Sequence, residues 1–252
     1  MKGKYKFVGF LVEIDSIHDF VHRQCADYVC NELADPSITI KTTQKDIDDE
    51  RERAKENDII EKSAAENMSD DHLESLAIYR RICDTISQHN CLLIHGCAVS
   101  AYGKAYLFVA DSGVGKSTHA KLWLKRFGNR AEIINGNNPI LKIVNNEVLV
   151  YGTPWCGREG LNQNKCIPLS AICLLKRDKK NHIHEISTTD GYAKILRQCY
   201  KTSDPNKVSG IISNLRRILS LVDLYSLGCN REPSAAVVAY EGMKNKTKNT
   251  IL

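Results

Sequence analysis

The sequence has no apolar run long enough to cross a membrane, no repeated segment and no C-x-x-C pair among its ten cysteines. The first absence argues against a transmembrane helix, and the last argues against a disulfide or zinc framework. The short apolar run near the N-terminus ends at Glu13 and Asp15, which does not fit a secretory signal peptide. Most cysteines lie in apolar segments, so we expect reduced, buried thiols in a cytoplasmic protein.

Aromatic residues make up only 7% of the chain, and none are interleaved with a basic stripe. The net charge of +5 hides an acidic segment, residues 41–75, which holds 12 Asp or Glu against 6 Lys or Arg. The remaining basic body suits phosphate-bearing or acidic ligands, whereas single-stranded nucleic acid favours basic grooves with aromatic platforms. We expect no nucleic-acid and no membrane partner. The acidic segment is predicted to act as a lid or as a docking surface for a basic peptide, and a homo-oligomer is compatible with the sequence.

Apolar periodicity divides the chain into a smaller N-terminal α/β portion, residues 1–90, and a core, residues 91–252. In the first, we predict strands over 5–14 and 37–43, and helices over 17–33, within 46–67, and from a cap at 71–74 to about residue 89. In the core, we predict strands at 92–94, 98–100, 105–109, 131–134, 140–144, 148–151, 171–176 and 224–227, with helices at 119–126, 189–200, 205–220 and 233–245. The hairpin across 140–151 indicates a mixed sheet.

The segment Ala110-Asp-Ser-Gly-Val-Gly-Lys-Ser-Thr118 is the strongest functional signal. It joins a buried strand to a helix start, an arrangement that directs backbone N–H groups and the helix dipole at one point. Gly113 and Gly115 permit a tight wrap around phosphate oxygens. Lys116 would reach the outer phosphates, and Ser117 would offer a hydroxyl to Mg²⁺. Ala110 replaces the usual first glycine of this pattern. The predicted nucleotide-binding residues are Ser112, Gly113, Val114, Gly115, Lys116, Ser117 and Thr118.

Three other segments could complete such a site: His95-Gly96, Ile133-Ile-Asn-Gly-Asn-Asn-Pro139, and Tyr151-Gly-Thr-Pro-Trp-Cys-Gly-Arg-Glu-Gly160. A phosphoryl-transfer site needs a carboxylate for Mg²⁺ or the acceptor hydroxyl, and groups that position the acceptor. The second segment carries only amides. Taken singly, His95 fits a core histidine, Arg158 a solvated loop charge and Asn137 a turn residue.

The order and spacing of these segments resemble the HPr kinase/phosphorylase-like proteins, which have the phosphoenolpyruvate-carboxykinase type of P-loop fold. The similarity is greatest to the shorter members associated with peptide maturation. It covers residues 95–160 and extends into 73–81 and 168–176. The resemblance implies an α/β fold with a mixed-sheet core of this P-loop type and a smaller N-terminal α/β portion that contributes to the substrate site. It also implies ATP and Mg²⁺ as cofactors.

The resemblance further implies roles for single residues. His95 would orient the transferred phosphoryl group, and Arg158 would bind a phosphate or carboxylate. Glu159 is a further candidate for the Mg²⁺ shell, beside Ser117 and residue 137. Position 137 is where the family has an aspartate that takes the acceptor's proton, and here it is Asn137. An amide cannot accept that proton, and such help is worth roughly 10²–10⁴-fold in rate.

The predicted function is therefore an ATP- and Mg²⁺-dependent serine kinase for a peptide or small protein, catalytically impaired by Asn137. The asparagine is either an introduced substitution or the mark of a natural non-catalytic binder. The first is favoured because the other elements are present. A kinase for a small molecule such as free serine, and a nucleotide-binding regulator without turnover, remain alternatives.

Overall fold

The computed structural model describes residues 1–57, 68–157 and 159–244 of the chain. It divides the chain into two compact units, Met1–Thr85 and Ile86–Leu252. The boundary expected from the sequence lies a few residues further along. That the first unit contributes to a substrate site stays a prediction.

The first unit contains a three-stranded sheet of β1 (Lys2–Phe7), β2 (Phe10–Asp15) and β3 (Ile38–Lys41), in that order. The prediction of one strand over 5–14 was wrong, because the chain reverses at Val8 and Gly9. Both residues have positive φ, 54° and 81°, so β1 and β2 form an antiparallel hairpin. The pairing of β2 with β3 is parallel.

The helix predicted over 17–33 is reduced to α1 (Phe20–Gln24) and a 3₁₀ turn at Ala26–Tyr28. Beyond Tyr28 the backbone runs beside β1: Val29 bridges Tyr5, and the N–H of Cys30 donates to the carbonyl of Lys4. Pairing with a strand edge therefore replaces the helix that the apolar spacing indicated.

Two longer helices complete this unit, α2 (Gln44–Asn57) and α3 (Asp70–Ile86). Residues 58–67 of the predicted polar segment lie outside the described residues. A capping role for Glu74 was wrong. Its buried carboxylate accepts hydrogen bonds from the backbone N–H groups of Ile17 (2.7 Å) and His18 (2.8 Å), so it fixes a distant loop.

The second unit is built on a nine-stranded mixed sheet, which confirms the mixed sheet predicted for the core. The main path runs β4-β8-β9-β10-β6-β5-β7, with β12 beside β10 and β11 beside β12. The strands are β4 (Cys91–Leu93), β5 (Cys97–Ala101), β6 (Lys104–Val109), β7 (Ala131–Asn135), β8 (Ile140–Val144), β9 (Glu147–Tyr151), β10 (Cys166–Arg177), β11 (His182–Glu185) and β12 (Asp223–Cys229). The sequence did not indicate β11 or the first residues of β10.

Strands β6, β10 and β12 run parallel to one another, and β5 runs antiparallel to both β6 and β7. The carboxyl ends of β6, β7, β10 and β12 therefore share one edge of the sheet with the start of β5. Parallel sheets place ligand-binding groups at this edge, and the glycine-containing turn of residues 110–118 follows β6 there.

Helices cover both faces of this sheet. On one face α5 (Thr188–Gln198) and α6 (Pro205–Leu221) pack on a core that includes Leu107 and Val109. On the other face α4 (Lys116–Phe127) and α7 (Ser234–Met243) pack on a core that includes Tyr106 and Phe108. Successive residues of β6 thus serve opposite cores, as the two-residue period of a strand requires. Residues 245–252 lie outside the described residues.

No disulfide joins the ten cysteines, and eight of them are buried, which confirms the predicted burial. Burial raises the pKa of the Cys97 and Cys199 thiols to about 12. Within the described ranges, no helix has the length and apolarity needed to span a bilayer.

His119 is a buried titratable group at the start of α4. Its Nε2 accepts a hydrogen bond from Trp123 Nε1 at 3.1 Å, and its Nδ1 lies 3.8 Å from Cys229 Sγ. The ring of Phe108 meets it edge-on. Because Nε2 is an acceptor, Nδ1 carries the proton of the neutral ring. Burial lowers the pKa of His119 to about 4.

We expect His119 to make stability fall on acidification. The unfolded chain protonates this ring near pH 6.5, so the stability it contributes is complete above that pH and is lost as pH falls towards about 4. The loss should reach roughly 3 kcal/mol. Urea unfolding of the parent and of His119→Gln, between pH 7 and pH 4, measures it. The free energy of unfolding of the parent should fall towards that of the variant at low pH. A difference that stays constant with pH would contradict the lowered pKa of His119.

Candidate functional site

The turn between β6 and α4 is shaped by Gly113 and Gly115, whose φ angles are 76° and 121°. A Cβ at either position would meet nothing within 4 Å, so backbone conformation, not crowding, demands glycine here. Gly115 caps α4 without a side-chain hydrogen bond. The first N–H groups of a helix have no carbonyl partner within it, so this end of α4 can receive an anion.

Lys116 is buried at the start of α4, with a side chain that turns back across the loop. Its Nζ donates to the carbonyl of Ala110 at 2.8 Å and to that of Asp111 at 3.4 Å. Burial lowers the pKa of Lys116, and the Cys97 and Asp111 side chains oppose that shift. The amino group thus lies at the first residues of the loop, against the end of β6.

Arg177 supports the same loop from the end of β10. Its Nε donates to the carbonyl of Val114 at 3.1 Å, and its Nη2 donates to the carbonyl of Gly113. Sequence reasoning missed this residue. The available signal was the Lys176-Arg177 pair directly after a predicted buried strand.

His95 and Asn137 are brought to the site through backbone hydrogen bonds. The N–H of His95 donates to the carbonyl of Gln198 at 2.7 Å, and the N–H of Gly96 donates to the carbonyl of Asn137 at 2.8 Å. Burial, and then the charge of Lys116, lower the pKa of His95, while a hydrogen bond with Asn138 opposes them. The imidazole is therefore neutral at pH 7.

Asn135 organises the amide-rich segment. Its fully buried Oδ1 accepts from the N–H groups of Asn137 (2.9 Å) and Asn138 (2.7 Å), and its Nδ2 donates to the Thr153 carbonyl at 3.1 Å and hydroxyl at 3.0 Å. The N–H of Gly136 donates to the carbonyl of Leu161 at 2.8 Å. The turn that presents Asn137 is therefore held from within the protein.

The loop after β9 passes directly against Asn137. Gly157 has a φ of 82°, and a Cβ there would lie 3.1 Å from the Cβ of Asn137. The positive φ of Gly157 and this close approach both favour glycine at the end of the Gly-Thr-Pro-Trp-Cys-Gly segment. Arg158, the next residue, lies outside the described residues.

Glu159 lies across from α4, where its carboxylate pairs with Lys121 Nζ at 2.9 Å. The structure thus brings together the β6–α4 turn, His95 and Asn137, whereas the Glu159 carboxylate pairs with the surface residue Lys121. Within the described residues, no group of three or more His, Cys, Asp or Glu side chains is arranged to hold a metal ion. Any Mg²⁺ bound here would need oxygen ligands from a nucleotide in addition to Ser117 and residue 137. Coordination by Ser117, Asn137 or Glu159 stays a prediction.

Gln198, at the end of α5, connects two parts of the site that sequence reasoning left separate. Its carbonyl receives the N–H of His95, and its Nε2 donates to Asp111 Oδ1 at 2.9 Å. An antiparallel bridge between Ile94 and Cys199 joins the same two segments next to the hydrogen bond between His95 and Gln198. The end of α5 is therefore tied both to the histidine and to the phosphate loop.

Two clefts open on either side of the loop. The α5-side cleft has a volume of about 540 Å³ and is lined by loop residues 110–114, the ends of β6 and β10, Ser226 of β12, and Lys194, Arg197 and Gln198. The α4-side cleft, about 270 Å³, is lined by Gly113–Gly115, Thr118, the end of β10 and Asn230–Arg231. Arg177 borders both clefts.

Comparisons with known proteins assign no family to this chain. No protein-family model and no curated protein matches the chain. Among solved structures, the chain is similar to the Hpr(Ser) kinase/phosphatase from Coxiella burnetii, with a TM-score of 0.33 and 9% sequence identity over 59% of this chain and 94% of that chain. A likeness at this level establishes neither a shared fold nor a shared activity.

The amide network predicts that Asn135 and Asn137 differ in their importance for stability. Asn135→Ala should lower the free energy of unfolding by about 2–4 kcal/mol, because it leaves the backbone N–H groups of Asn137 and Asn138 without their acceptor. Asn137→Ala, which removes no hydrogen bond of that network, should cost less than about 1 kcal/mol. Chemical denaturation of the two variants compares them. Equal losses would show that Asn135 does not hold the turn.

Proposed function

We propose that the chain binds Mg-ATP at the β6–α4 turn and is a serine kinase for a peptide or small protein, with transfer slowed by Asn137. The observation that carries the proposal is the open cradle at Gly113 and Gly115. It lies at the start of α4, where no side chain caps the helix, and the amino group of Lys116 lies at the first residues of the same turn. This combination of N–H groups, helix dipole and cation matches the charge and shape of a polyphosphate.

Each residue then has a physical task. The N–H groups of the cradle bind phosphate oxygens. The ammonium group of Lys116 leaves the loop carbonyls and binds the outer phosphates. A bound Mg²⁺ would neutralise charge on the phosphates, with the Ser117 hydroxyl as its protein ligand. The neutral His95 offers a hydrogen bond near Lys116 without adding charge. Gln198 and Arg177 hold these groups in place.

Asn137 limits the chemistry. In the family that the sequence resembles, an aspartate at this position takes the proton of the acceptor hydroxyl. An amide has no basic lone pair for that proton, so the chain should bind nucleotide and acceptor yet transfer slowly. The same amide also supports a second candidate function, a nucleotide-binding regulator without turnover.

Restoring a carboxylate at position 137 tests the kinase. We expect Asn137→Asp to raise γ-phosphate transfer from labelled Mg-ATP to serine peptides by roughly 10²–10⁴-fold, the usual worth of a general base. Asn145→Asp is the matched control, because it introduces the same charge on the exposed turn between β8 and β9 and should give no such gain. If Asn137→Asp binds Mg-ATP but transfers to no serine peptide, the regulator or a small-molecule acceptor replaces the present proposal.

Nucleotide binding itself depends on Lys116. Lys116→Met removes a charge-assisted contact and should weaken Mg-ATP binding roughly 10- to 100-fold, as measured by calorimetry. Lys125→Met removes an exposed cation from the same helix and should leave the affinity unchanged. Unchanged affinity in the Lys116 variant would place the nucleotide elsewhere.

A further inference from the structure

The position of Lys116 sets the direction in which a triphosphate lies along the loop. The lysine of such a loop contacts the outer phosphates, and here its Nζ lies at the carbonyls of Ala110 and Asp111. The terminal phosphate therefore belongs at the start of the loop. The α5-side cleft opens at these same residues, whereas the α4-side cleft begins at Gly113 and includes Thr118. The α5-side cleft therefore faces the phosphate that would be transferred.

The α5-side cleft is strongly basic. Four cations line it (Lys176, Arg177, Lys194 and Arg197), against the single carboxylate of Asp111, which receives a hydrogen bond from Gln198. Arg177 is engaged with loop carbonyls. The other three form no ion pair with any described residue, unlike Lys121, Lys165 and Lys207 of the same unit.

The cleft also has an apolar floor beneath these cations. Val109 and Leu174 line it and are largely buried. Lys194 and Arg197 stand three residues apart on α5, so they lie on one helix face. Lys194 and Arg197 are exposed to solvent, so each would attract an anion with the strength of an exposed charge pair.

We propose that the α5-side cleft binds the phosphoryl acceptor, and that this acceptor is an acidic peptide with carboxylates beside its hydroxyl residue. Lys194 and Arg197 recognise those carboxylates. The inference rests on the proposed function, which it extends by naming the substrate class. It also gives the cations a task separate from nucleotide binding, since the loop and Lys116 supply the phosphate contacts.

The chain with Asn137 suits a binding experiment, because slow transfer leaves the complex intact. Fluorescent peptides that carry one serine flanked by two glutamates, or by two glutamines, are titrated in the presence of Mg-ATP. We expect the acidic peptide to bind about three- to tenfold more tightly, the worth of two exposed charge pairs. The double variant Lys194→Met, Arg197→Gln should lose this preference and keep its affinity for Mg-ATP.

The matched control is the double variant Lys125→Met, Arg216→Gln, which removes two exposed cations from other surfaces of the unit and should keep the preference. As a converse, Arg197→Glu should favour a lysine-flanked peptide. Equal binding of the acidic and neutral peptides by the parent overturns the proposal. So does a cleft variant that retains the peptide preference but loses Mg-ATP, since the cations would then serve the nucleotide.

Failure of the kinase proposal has a different signature. In that case neither peptide is phosphorylated by the Asn137→Asp variant, whatever the binding preference. Transfer to both peptides with equal affinity and equal rate would instead uphold the kinase and reject the acidic acceptor. The two inferences are thus judged by separate measurements.

Discussion

Parallel hydrogen bonding of β6 with β10, and of β10 with β12, determines where the groups of the site can lie. Leu107 is opposite Ile172, which is opposite Leu224, so the three strands end at one edge. Because alternate residues of β6 belong to cores on opposite faces, a one-residue slip would exchange the two sets of buried side chains. The packing of both faces therefore holds the loop of β6 beside Arg177 of β10.

Local sequence was sufficient to predict the glycine turn between β6 and α4, the hairpin across 140–151 and the mixed character of the sheet, because each depends on neighbouring residues. The helix over 17–33 was wrong, since pairing of Val29 and Cys30 with β1 outweighs apolar spacing. Glu74 fits a cap pattern locally, yet its carboxylate serves residues far along the chain. The basic pair after a buried strand was a local signal for Arg177, but its contact with the loop, like that of Gln198, depends on strand pairing and helix packing between distant segments.

The loop between β6 and α4 is held by cations that bind its carbonyls. Lys116 takes those of Ala110 and Asp111, and Arg177 takes those of Gly113 and Val114. Within a planar trans peptide the C=O and the following N–H point in opposite directions. Cations on the carbonyl side of the loop therefore leave the N–H of Gly115 directed to the other side. The basic residues help to form the cradle as well as to attract an anion.

The buried turn at Asn135 has a consequence for chemical ageing. An asparagine followed by glycine is the sequence most prone to deamidation, in which the glycine nitrogen attacks the side-chain carbonyl to form a succinimide. Here the N–H of Gly136 is held by Leu161, and the Asn135 amide is held on both sides. The native fold therefore prevents the attack of the Gly136 nitrogen on the Asn135 side chain, whereas the unfolded chain permits it. A chain that stays unfolded long enough to deamidate would have Asp or isoaspartate where the turn needs a donor to Thr153, and that damaged copy would not regain the site.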